Sequence, residues 1–560
     1  MEDLLLLHCS ASYAPLSPMN FLKQAAKVCG DKVSIVYGTV GFSWRETHDR
    51  CLRIASALSQ LGISSGDTVA ALAPNIPALY ELHFAVPMAG AVLSALNIRL
   101  DTATLAVILE KLEAKFIFID NQYVHVVHEA LEILSQKKGK QPFVVLIQED
   151  DQATTLVANY EFASGSMKYN DLLGMGGTDF EIVKPKDDGD PISVNFTSGS
   201  TGEPKGVLYS HRAAYLNSLA SVIRYDMRIA PVFLWTVDMF RCNGWCCTWA
   251  MAALGGTSIC LRNVSAKVIF DSIHLHTVTH LCGAPAILNM IADAPACEQR
   301  PLPCKVHVII AGVLSMSQVL KVEGLGFTVS YAYGMTEVLG PAIVRPWRAD
   351  WNSRFSNEHK NDQFQVGLDN LVIEEVDVKE ADSMKSVPRD GKTIGEIMFR
   401  GNTLMSGYLK NPKATQEAFK DGWYRTRDLG LMHPNGVIQL KDRAMDIIVS
   451  GGEIISTLEV EAVLLSHPKV LEAAVVGKHD DCLKEKPCAF VKLKEGYDAS
   501  SVEIVKFCEE QLPDFMVPRI VVFGELPVNS TGKVQKFSLR LKANAIHNNR
   551  ISPKNGCQRS

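Results

Sequence analysis

A ten-residue segment from Thr197 to Gly206 combines three glycines, four hydroxyl side chains and one lysine, Lys205. It follows the apolar run PISVNF, which is typical of a buried strand, and it precedes a helix-like segment. Backbone N–H groups and hydroxyls can surround phosphate oxygens, and a lysine can neutralise their charge. The spacing excludes the Walker form, because Glu203 and Pro204 separate the last glycine of the loop from the lysine. The segment therefore predicts a phosphate-binding loop, with a flexible Ser/Gly turn as the alternative.

Further motifs follow in order along the chain. They are YGMTE from Tyr333 to Glu337, TRDLG with Asp428, KDR with Arg443, SGGE at Ser450 to Glu453, and STGK ending at Lys533. This series resembles the adenylate-forming superfamily, which includes acyl-CoA synthetases, 4-coumarate:CoA ligases, luciferases and the adenylation domains of peptide synthetases. The N-terminal third, with LAPNIPALYELHFAVPMAGAVLSALNIRL and DMFRCNGW, is similar to plant acyl-activating enzymes related to benzoate- and cinnamate-CoA ligases. The resemblance covers the chain except for its tail.

The resemblance implies an ATP-dependent carboxylic acid:CoA ligase. In this reaction a carboxylate attacks the α-phosphate of ATP to give an acyl-adenylate and pyrophosphate, and the thiol of coenzyme A then expels AMP. Cations and oriented donors must neutralise the charge on the phosphates. By resemblance, Thr336 contacts the α-phosphate, and Glu337 and Thr201 are the expected Mg²⁺ ligands. The implied catalytic residues are Lys533, Lys205, Thr336 and Glu337. The implied ATP- and AMP-binding residues are Thr197, Ser198, Gly199, Ser200, Thr201, Gly202, Lys205, Gly312, Tyr333, Thr336, Asp428, Arg443 and Lys533.

The motifs nearer the C-terminus have implied roles as well. Asp428 resembles the ligand of the two ribose hydroxyls, and Arg443 its companion at the start of the smaller domain. Lys533 resembles the lysine that bridges the carboxylate and the α-phosphate during adenylation, and as a point charge it would act in only one domain orientation. In the rotated form, Gly451 and Gly452 are expected near the pantetheine arm of coenzyme A.

The expected acyl pocket is apolar and aromatic and suits a short- or medium-chain or aromatic monocarboxylate. Its implied lining consists of Trp235, Phe240, Arg241, Gly312 and Tyr331, with the segment from Cys282 to Leu288. Arg241 stands where relatives have histidine. It has two interpretations: it binds a second carboxylate or polar group of the substrate, or it pairs with Asp238, which is the favoured one.

Several positions depart from the family pattern. Arg427 replaces a glycine before the ribose aspartate, Met445 a charged residue at the hinge, and Ile454 a polar residue after Gly-Gly-Glu. Arg427 would be costly if its backbone needed a positive φ. These changes leave open a slower enzyme, a shifted substrate, or a partly inactivated paralogue that binds nucleotide or acyl ligand. A stand-alone adenylating enzyme with another acceptor is a third alternative.

The elements that must position these residues follow from hydrophobic periodicity. Apolar runs at 33–38, 68–74, 115–120, 143–148, 279–284 and 307–312 alternate with segments of helical period. This pattern predicts an α/β fold with a large N-terminal domain of mainly parallel layered sheets. From about residue 365, charged alternating segments predict a small antiparallel region. The predicted domains are a large adenylating domain at 1–441 and a smaller mobile α+β domain at 442–546, followed by a loose tail at 547–560.

Composition limits the classes of partner. The chain has 560 residues, and 56 Lys and Arg against 61 Asp and Glu leave a formal net charge of −5, which argues against nucleic acid. Fourteen cysteines never form a CxxC pair, which favours buried thiols over disulfides or a zinc ribbon.

The twenty uncharged residues between Arg241 and Arg262 contain polar residues and a Gly-Gly pair, so they predict a short helix, a turn and a strand rather than a membrane span. The spacing of His274, His276 and His280 does not favour a metal site.

The expected location is the cytosol, with the peroxisome as the alternative, because the chain lacks a Ser-Lys-Leu-like C-terminus. The sequence leaves the oligomeric state open.

Overall fold

The computed structural model describes residues 14–148, 162–197, 203–228, 230–312, 316–346, 365–366, 372–528 and 534–546. By their internal contacts these residues divide into two compact units. The first unit lies within Met1–Thr426 and Gly430–Leu440, and the second within Arg427–Leu429 and Lys441–Ser560.

The strands are numbered β1 to β27 in chain order. They are β1 Val33–Tyr37, β2 Val40–Ser43, β3 Thr68–Leu72, β4 Val92–Ala95, β5 Phe116–Asp120, β6 Phe143–Ile147, β7 Ser166–Lys168, β8 Pro191–Thr197, β9 Lys205–Ser210, β10 Val232–Leu234, β11 Thr257–Ile259, β12 His280–Gly283, β13 Val306–Ala311, β14 Phe327–Met335, β15 Gly340–Pro346, β16 Gln365–Val366, β17 Ile373–Lys379, β18 Gly395–Gly401, β19 Gly407–Tyr408, β20 Phe419–Lys420, β21 Trp423–Met432, β22 Ile438–Arg443, β23 Ile448–Ser450, β24 Glu453–Ile455, β25 Val470–Asp480, β26 Lys484–Leu493 and β27 Ile520–Phe523.

The helices are named by their bounds. The α-helices are Met19–Val28, Trp44–Gln60, Pro77–Met88, Thr102–Leu112, Val124–Gln136, Tyr169–Met175, His211–Arg224, Cys247–Leu254, Ala266–His276, Pro285–Ala292, Met316–Gly324, Pro412–Ala418, Thr457–Ser466, Ser501–Glu509 and Lys536–Ala545, and a short left-handed segment occupies Cys242–Trp245. Three 3₁₀ turns lie at Asn121–Tyr123, Thr336–Val338 and Asp514–Met516.

Two eight-stranded sheets form the bulk of the first unit. One runs in the order β19-β9-β8-β4-β3-β5-β6-β7 and the other in the order β15-β14-β13-β12-β10-β11-β1-β2. From β8 to β7 and from β14 to β1 all neighbours are parallel, and antiparallel strands occur only at the ends. The predicted mainly parallel layered sheets are confirmed. A third sheet, in the order β16-β22-β21-β18-β17, contains the antiparallel pair β17–β18, so the predicted change after residue 365 is confirmed as well.

Local sequence explains how these elements form. The helix Trp44–Gln60 begins with a capping box, in which Ser43 Oγ accepts from the N–H of Glu46 and the Glu46 carboxylate accepts from the N–H of Ser43. The helix Pro77–Met88 is buried on almost all sides, which fits its continuous apolar sequence. The fully buried rings of Trp44, Trp235 and Trp249 are among the largest side chains of the core.

The interpretation of the glycine-rich loop as a connection from a strand to a helix is wrong. Residues 205–210 form β9, which pairs antiparallel with β8 in the register Thr197 to Lys205, and the helix His211–Arg224 begins only after β9. The run KGVLYS is short but suits an extended, half-buried strand. The loop therefore connects two antiparallel strands, and Lys205 is the first residue of the second strand.

The uncharged stretch after Arg241 folds as predicted. It contains the helix Cys247–Leu254, the glycine turn at Gly255 and Gly256, and the strand β11. Within the described ranges, no helix has the length and apolar character to cross a membrane.

The second unit contains a five-stranded sheet in the order β24-β23-β26-β25, with β27 beside β26. The pairs β25–β26 and β23–β24 are antiparallel, whereas β27 runs parallel to β26. Three helices accompany it, at Thr457–Ser466, Ser501–Glu509 and Lys536–Ala545. This composition confirms the predicted smaller domain with antiparallel strands and helices.

Candidate active site

The phosphate-loop hairpin places Lys205 beside an aromatic ring. Lys205 Nζ lies 5.0 Å from the centroid of the Tyr408 ring, within the range of a cation–π contact. Tyr408 belongs to β19, which pairs with β9, so the ring is carried by the neighbouring strand. Within the described part of the chain, Lys205 forms no ion pair, which leaves its charge available for an anionic ligand. Residues 198–202, with the predicted Ser198, Gly199, Ser200, Thr201 and Gly202, lie outside the described ranges.

Glu337 contacts the hydroxyl of Tyr408, whereas Lys205 contacts its ring. The Tyr408 hydroxyl donates a hydrogen bond of 2.9 Å to Glu337 Oε1, and the backbone N–H of Met405 donates to the Glu337 carbonyl at 2.9 Å. Burial and the charge of Glu337 raise the pKa of Tyr408, so its hydroxyl keeps its proton and stays a donor. Among the described residues, Oε2 of Glu337 has no hydrogen-bond partner. A half-buried carboxylate with one free oxygen fits Mg²⁺, which commonly takes one or two carboxylates together with phosphate oxygens.

Thr336 precedes Glu337 in a 3₁₀ turn that two side chains hold in place. The hydroxyl of the buried Tyr209 donates to the Thr336 carbonyl oxygen at 2.6 Å. Cys242 Sγ lies 3.8 Å from Thr336 Oγ1, as a weak thiol donor. These contacts fix the turn and leave the Thr336 hydroxyl proton for another acceptor, as its predicted contact with the α-phosphate requires. Lys205, Thr336 and Glu337 thus come together in the first unit, although more than a hundred residues separate Lys205 from the other two.

The residues of the predicted acyl pocket include buried aromatic groups and an arginine that is paired with an aspartate. Trp235 is fully buried and Phe240 nearly so. Arg241 Nε donates to Asp238 Oδ2 at 2.9 Å, and the same carboxylate binds the guanidinium of Arg99 at 2.9 and 3.3 Å. The interpretation of Arg241 as the partner of Asp238 is therefore confirmed.

The backbone after Arg241 is left-handed for five residues in succession. Cys242, Asn243, Gly244, Trp245 and Cys246 have φ angles of 44°, 45°, 60°, 54° and 62°. Four of them are not glycine, and each such residue costs about 1–2 kcal/mol. The backbone at Gly244 lies close to Trp235, and a Cβ at this position would lie 2.7 Å from the indole ring, so the position requires glycine. The backbone strain therefore lies directly beside the acyl pocket.

Hydrogen bonds from the first sheet hold the left-handed segment. Asn195 Oδ1 accepts from the N–H of Asn243 at 2.9 Å, and Asn195 Nδ2 donates to the carbonyl of Phe240 at 3.0 Å. Ser193 Oγ donates to Asn243 Oδ1 at 3.1 Å. Both Ser193 and Asn195 lie on β8, the strand that leads into the phosphate loop. The same strand thus supports the predicted acyl pocket and leads into the predicted phosphate-binding loop.

The carboxyl ends of β13 and β14 carry the remaining predicted residues of the first unit. Gly312 directly follows β13 and has a φ of 132°, and a Cβ there would lie 2.9 Å from Pro285 Cγ, so this position requires glycine. Tyr331 is half-buried, while Tyr333 is buried and stacks on Phe399 with ring centroids 6.1 Å apart. Because parallel strands end at one edge, these residues share that edge of the second sheet.

The ribose motif and its arginine belong by their contacts to the second unit. Arg443 Nε lies 3.7 Å from Asp428 Oδ1, and the Asp428 side chain is largely buried. Arg427 has a φ of 63°, and its carbonyl accepts from the N–H of Ala444 at 2.9 Å. This position thus has the positive φ that would make arginine costly. The pair joins the neighbouring strands β21 and β22.

Gly451 and Gly452 form the turn between β23 and β24, with φ angles of 59° and 93°. The N–H of Gly451 donates to the carbonyl of Leu483 at 2.9 Å, which anchors the turn to the start of β26. Ile454 on β24 and Met445 are about half exposed, so both departures from the family pattern are surface residues of this unit.

Lys533 lies outside the described ranges, and the helix Lys536–Ala545, which begins three residues later in the sequence, is well anchored. Lys536 begins the helix Lys536–Ala545, and its ammonium lies 2.7 Å from Glu461 Oε1 and 2.6 Å from Thr457 Oγ1. Thr457 in turn donates its N–H and hydroxyl to Asp442 Oδ2 at 2.6 and 2.7 Å. Burial raises the pKa of Glu461 and of Asp442 against the effect of the lysine. The start of the helix Lys536–Ala545 is thus tied to Thr457 and Glu461 and, through Thr457, to Asp442.

Tyr408 is the residue of this site that the motifs did not identify. It lies in GNTLMSGYLK, where a single tyrosine has no distinctive spacing. Only two features could have identified it. Tyr408 directly follows Gly407 in a Ser-Gly-Tyr sequence, and this short segment forms β19, which pairs with β9.

Comparison with known proteins gives the family. Residues 21–409 match the family called AMP-binding enzyme, and residues 459–533 match the family called AMP-binding enzyme C-terminal domain. The chain belongs to the AMP-binding enzyme family. A peroxisomal butyrate–CoA ligase of Arabidopsis thaliana is 44% identical to it over 98% of this chain and 96% of its own length. A peroxisomal benzoate–CoA ligase of the same plant is 44% identical over 96% and 95% of the two chains.

The solved structures agree with the fold. The anthranilate CoA ligase AuaEII, solved with anthranoyl-AMP, matches with a TM-score of 0.81 at 22% identity and covers 95% of this chain and 99% of its own. The predicted family, fold and activity class are confirmed: this AMP-binding enzyme is an AMP-forming acid:CoA ligase that uses ATP, Mg²⁺ and coenzyme A. The roles of its individual residues and its acid stay predictions.

Proposed function

We propose that this AMP-binding enzyme activates an apolar monocarboxylic acid, either aliphatic of short or medium chain or aromatic. The observation that carries the substrate class is the pairing of Arg241 with Asp238 at 2.9 Å beside Phe240. A second carboxylate on the substrate would need a cation free to turn toward it, and the Arg241 guanidinium is held by Asp238, which it shares with Arg99. The relatives named for butyrate and benzoate support this range of acids.

In the first half-reaction, a carboxylate oxygen attacks the α-phosphorus of ATP, and the bond to the bridging oxygen of pyrophosphate breaks. Lys205 binds the β- and γ-phosphates, because its ammonium projects from the phosphate-loop hairpin without a described acidic partner. The Thr336 hydroxyl donates to the α-phosphate. Glu337 and Thr201 hold Mg²⁺, which neutralises phosphate charge when bound. Lys533 supplies a further positive charge between the carboxylate and the α-phosphate.

Asp428 accepts hydrogen bonds from the two ribose hydroxyls, with Arg443 as its charged neighbour at 3.7 Å. In the second half-reaction, the coenzyme A sulfur attacks the acyl carbon, and AMP leaves with the electrons of the mixed-anhydride bond. The glycine turn at Gly451 and Gly452 contacts the pantetheine arm, because the absence of side chains lets a ligand approach the backbone closely.

One assay series tests this function. Pyrophosphate exchange and thioester formation are measured with butyrate, hexanoate, benzoate, cinnamate and a dicarboxylate. We expect both products with at least one monocarboxylate, and neither with the dicarboxylate. Exchange without thioester would indicate another acceptor than coenzyme A. Neither product with any acid would support the partly inactivated paralogue.

The predicted cytosolic location remains a prediction, and the peroxisome remains its alternative. Both relatives named above are described as peroxisomal. Fluorescent fusions at each terminus, compared with a peroxisomal marker, distinguish the two compartments.

A further inference from the structure

We propose that Tyr408 is a positioning residue of the adenylation site, which holds the Glu337 carboxylate for the metal–nucleotide complex and keeps it apart from Lys205. The inference rests on the proposed function, because it assigns a role to Tyr408 only if Lys205 and Glu337 bind phosphate and Mg²⁺.

Tyr408 contacts Lys205 and Glu337 with different parts of its side chain, and this arrangement holds the two charged groups apart. Its ring faces Lys205 Nζ at 5.0 Å from the centroid, and its hydroxyl donates to Glu337 Oε1 at 2.9 Å. An ammonium and a carboxylate attract each other, and the attraction is stronger where they are partly shielded from water. A direct pair would neutralise both groups before any ligand arrives. In the described part of the molecule they form no such pair, and the Tyr408 side chain contacts both.

The segment that carries Tyr408 is attached to both of its targets. The N–H of Leu409 donates to the carbonyl of Gly206 at 2.7 Å, next to Lys205. On the other side, the N–H of Met405 donates to the carbonyl of Glu337 at 2.9 Å. A short run of five residues therefore fixes the distance between the phosphate-loop hairpin and the Glu337 turn.

Tyr408 itself is held rigidly. Its side chain is buried, and its backbone N–H donates to Thr415 Oγ1 at 2.9 Å, at the helix Pro412–Ala418. From this fixed position the Tyr408 hydroxyl donates to Glu337 Oε1 at 2.9 Å. A fixed donor at Oε1 restricts the carboxylate and leaves Oε2, which has no hydrogen-bond partner among the described residues, for a further ligand.

The test separates the hydroxyl from the ring. Tyr408→Phe removes the donor and keeps the ring, whereas Tyr408→Leu removes both. Tyr215→Phe serves as the control, because the Tyr215 ring stacks on Phe21 and its hydroxyl makes no described hydrogen bond. Binding of a non-hydrolysable ATP analogue is measured by calorimetry with Mg²⁺ and with EDTA, and thermal unfolding checks that each variant folds.

We expect Tyr408→Phe to bind the Mg²⁺ complex about tenfold more weakly, as for loss of a hydrogen bond to a charged group, with unchanged binding of the metal-free analogue. Tyr408→Leu should weaken binding of the Mg²⁺ complex and of the metal-free analogue, because Lys205 then pairs with Glu337. Wild-type binding of the Mg²⁺ complex by Tyr408→Phe would overturn the inference, and so would equal losses with and without metal. A wild-type protein that binds no nucleotide would overturn the proposed function instead.

Discussion

Arg241 shows that the partner of a charged residue decides what it contributes to a pocket. From the sequence it was a candidate for a second substrate carboxylate, and in the fold it shares Asp238 with Arg99. The Arg241 side chain is only about one-third exposed, at 31%, and Asp238 is more buried, at 21%. The three charges form a cluster beside Phe240, and the carboxylate directs Arg241 toward itself. The residue therefore has a structural explanation that does not involve selectivity.

Arg241→His is expected to leave the ranking of acids by kcat/KM unchanged, because Asp238 still pairs with Arg99. The measurement is kcat/KM for the panel of mono- and dicarboxylates. Asp238→Asn is the informative counterpart: it frees two guanidinium groups and should raise activity toward acids with a second carboxylate. A reordered ranking in Arg241→His would contradict this view and assign the arginine to substrate choice.

The residues that sequence patterns identified are those with distinctive types and spacing. Lys205, Thr336 and Glu337 lie in motifs, and the structure brings them together. Tyr408 could not be identified in this way, because its role depends on the pairing of β19 with β9, which no local pattern encodes. The positive φ of Arg427 was likewise undetermined, since only a glycine or asparagine would signal it.

At the scale of elements, apolar runs were reliable guides where strands are buried on both faces. The predicted runs at 115–120 and 143–148 correspond to β5 and β6, which are almost entirely buried. The strand β9 was missed because its run is short, begins with lysine and glycine, and follows a glycine-rich loop. The left-handed segment was missed because four of its five residues are not glycine.

The bulge between β14 and β15 depends on Gly334 in the YGMTE motif. A Cβ there would lie 2.0 Å from the carbonyl oxygen of Gly340 and 2.8 Å from the N of Ala342, and both neighbours are backbone atoms. Gly334→Ala should therefore lower the free energy of unfolding by at least about 2 kcal/mol and reduce nucleotide binding. Urea unfolding measures the first effect.

The matched control is Gly324→Ala, because a Cβ at Gly324 meets nothing within contact distance. It lies at the end of the helix Met316–Gly324, so stability should be unchanged or slightly raised. Equal destabilisation by both substitutions would contradict the steric explanation.

The helix Lys536–Ala545 depends on one buried ion pair. Burial lowers the pKa of Lys536, but the charges of Glu461, Asp442 and Asp446 outweigh it, and the pKa is raised. Lys536→Met leaves Glu461 buried without its counter-charge and should cost about 3–5 kcal/mol near neutral pH. Urea unfolding at several pH values measures the loss, and Lys542→Met, at an exposed position of the same helix, is the control.

The pH dependence of this loss has a definite sign. The folded-state pKa of Glu461 is already raised, and removal of Lys536 raises it further. An acid with a raised folded pKa favours the folded state at low pH and opposes it as the pH increases. The difference between Lys536→Met and wild type should therefore shrink as the pH falls from about 8 to about 5. A difference independent of pH would show that lost packing, not charge, is the cause.

At the scale of the whole molecule, the predicted site residues fall in both compact units. Lys205, Thr336 and Glu337 lie in the first, whereas Asp428, Arg443 and the glycine turn lie in the second. The length of 560 residues indicated more than one domain, and the helix and strand patterns after residue 441 predicted a second one beginning there. In the structure the second unit also includes residues 427–429, which no local pattern indicates because they form part of β21.

Lys533→Ala tests the prediction that Lys533 acts in adenylation and not in thioester formation. Pyrophosphate exchange should fall at least about a hundredfold, because a charge aimed at the α-phosphate is lost. Thioester formation from a supplied acyl-adenylate should be largely spared. Rapid-quench measurement of the two half-reactions separates these effects, with the exposed Lys542→Ala as control. Equal loss in both half-reactions would contradict the assigned role of Lys533.

The left-handed segment from Cys242 to Cys246 also bears on how the acid range of this protein can be altered. Its shape is set by the backbone and by the amides of β8, so substitutions there change folding before they change the pocket. A combinatorial library that randomises this segment would mostly yield misfolded variants, because few sequences tolerate five left-handed residues. Diversity is better placed at Phe240 and Tyr331, two predicted lining residues at which the side chain rather than the main chain would contact the acid.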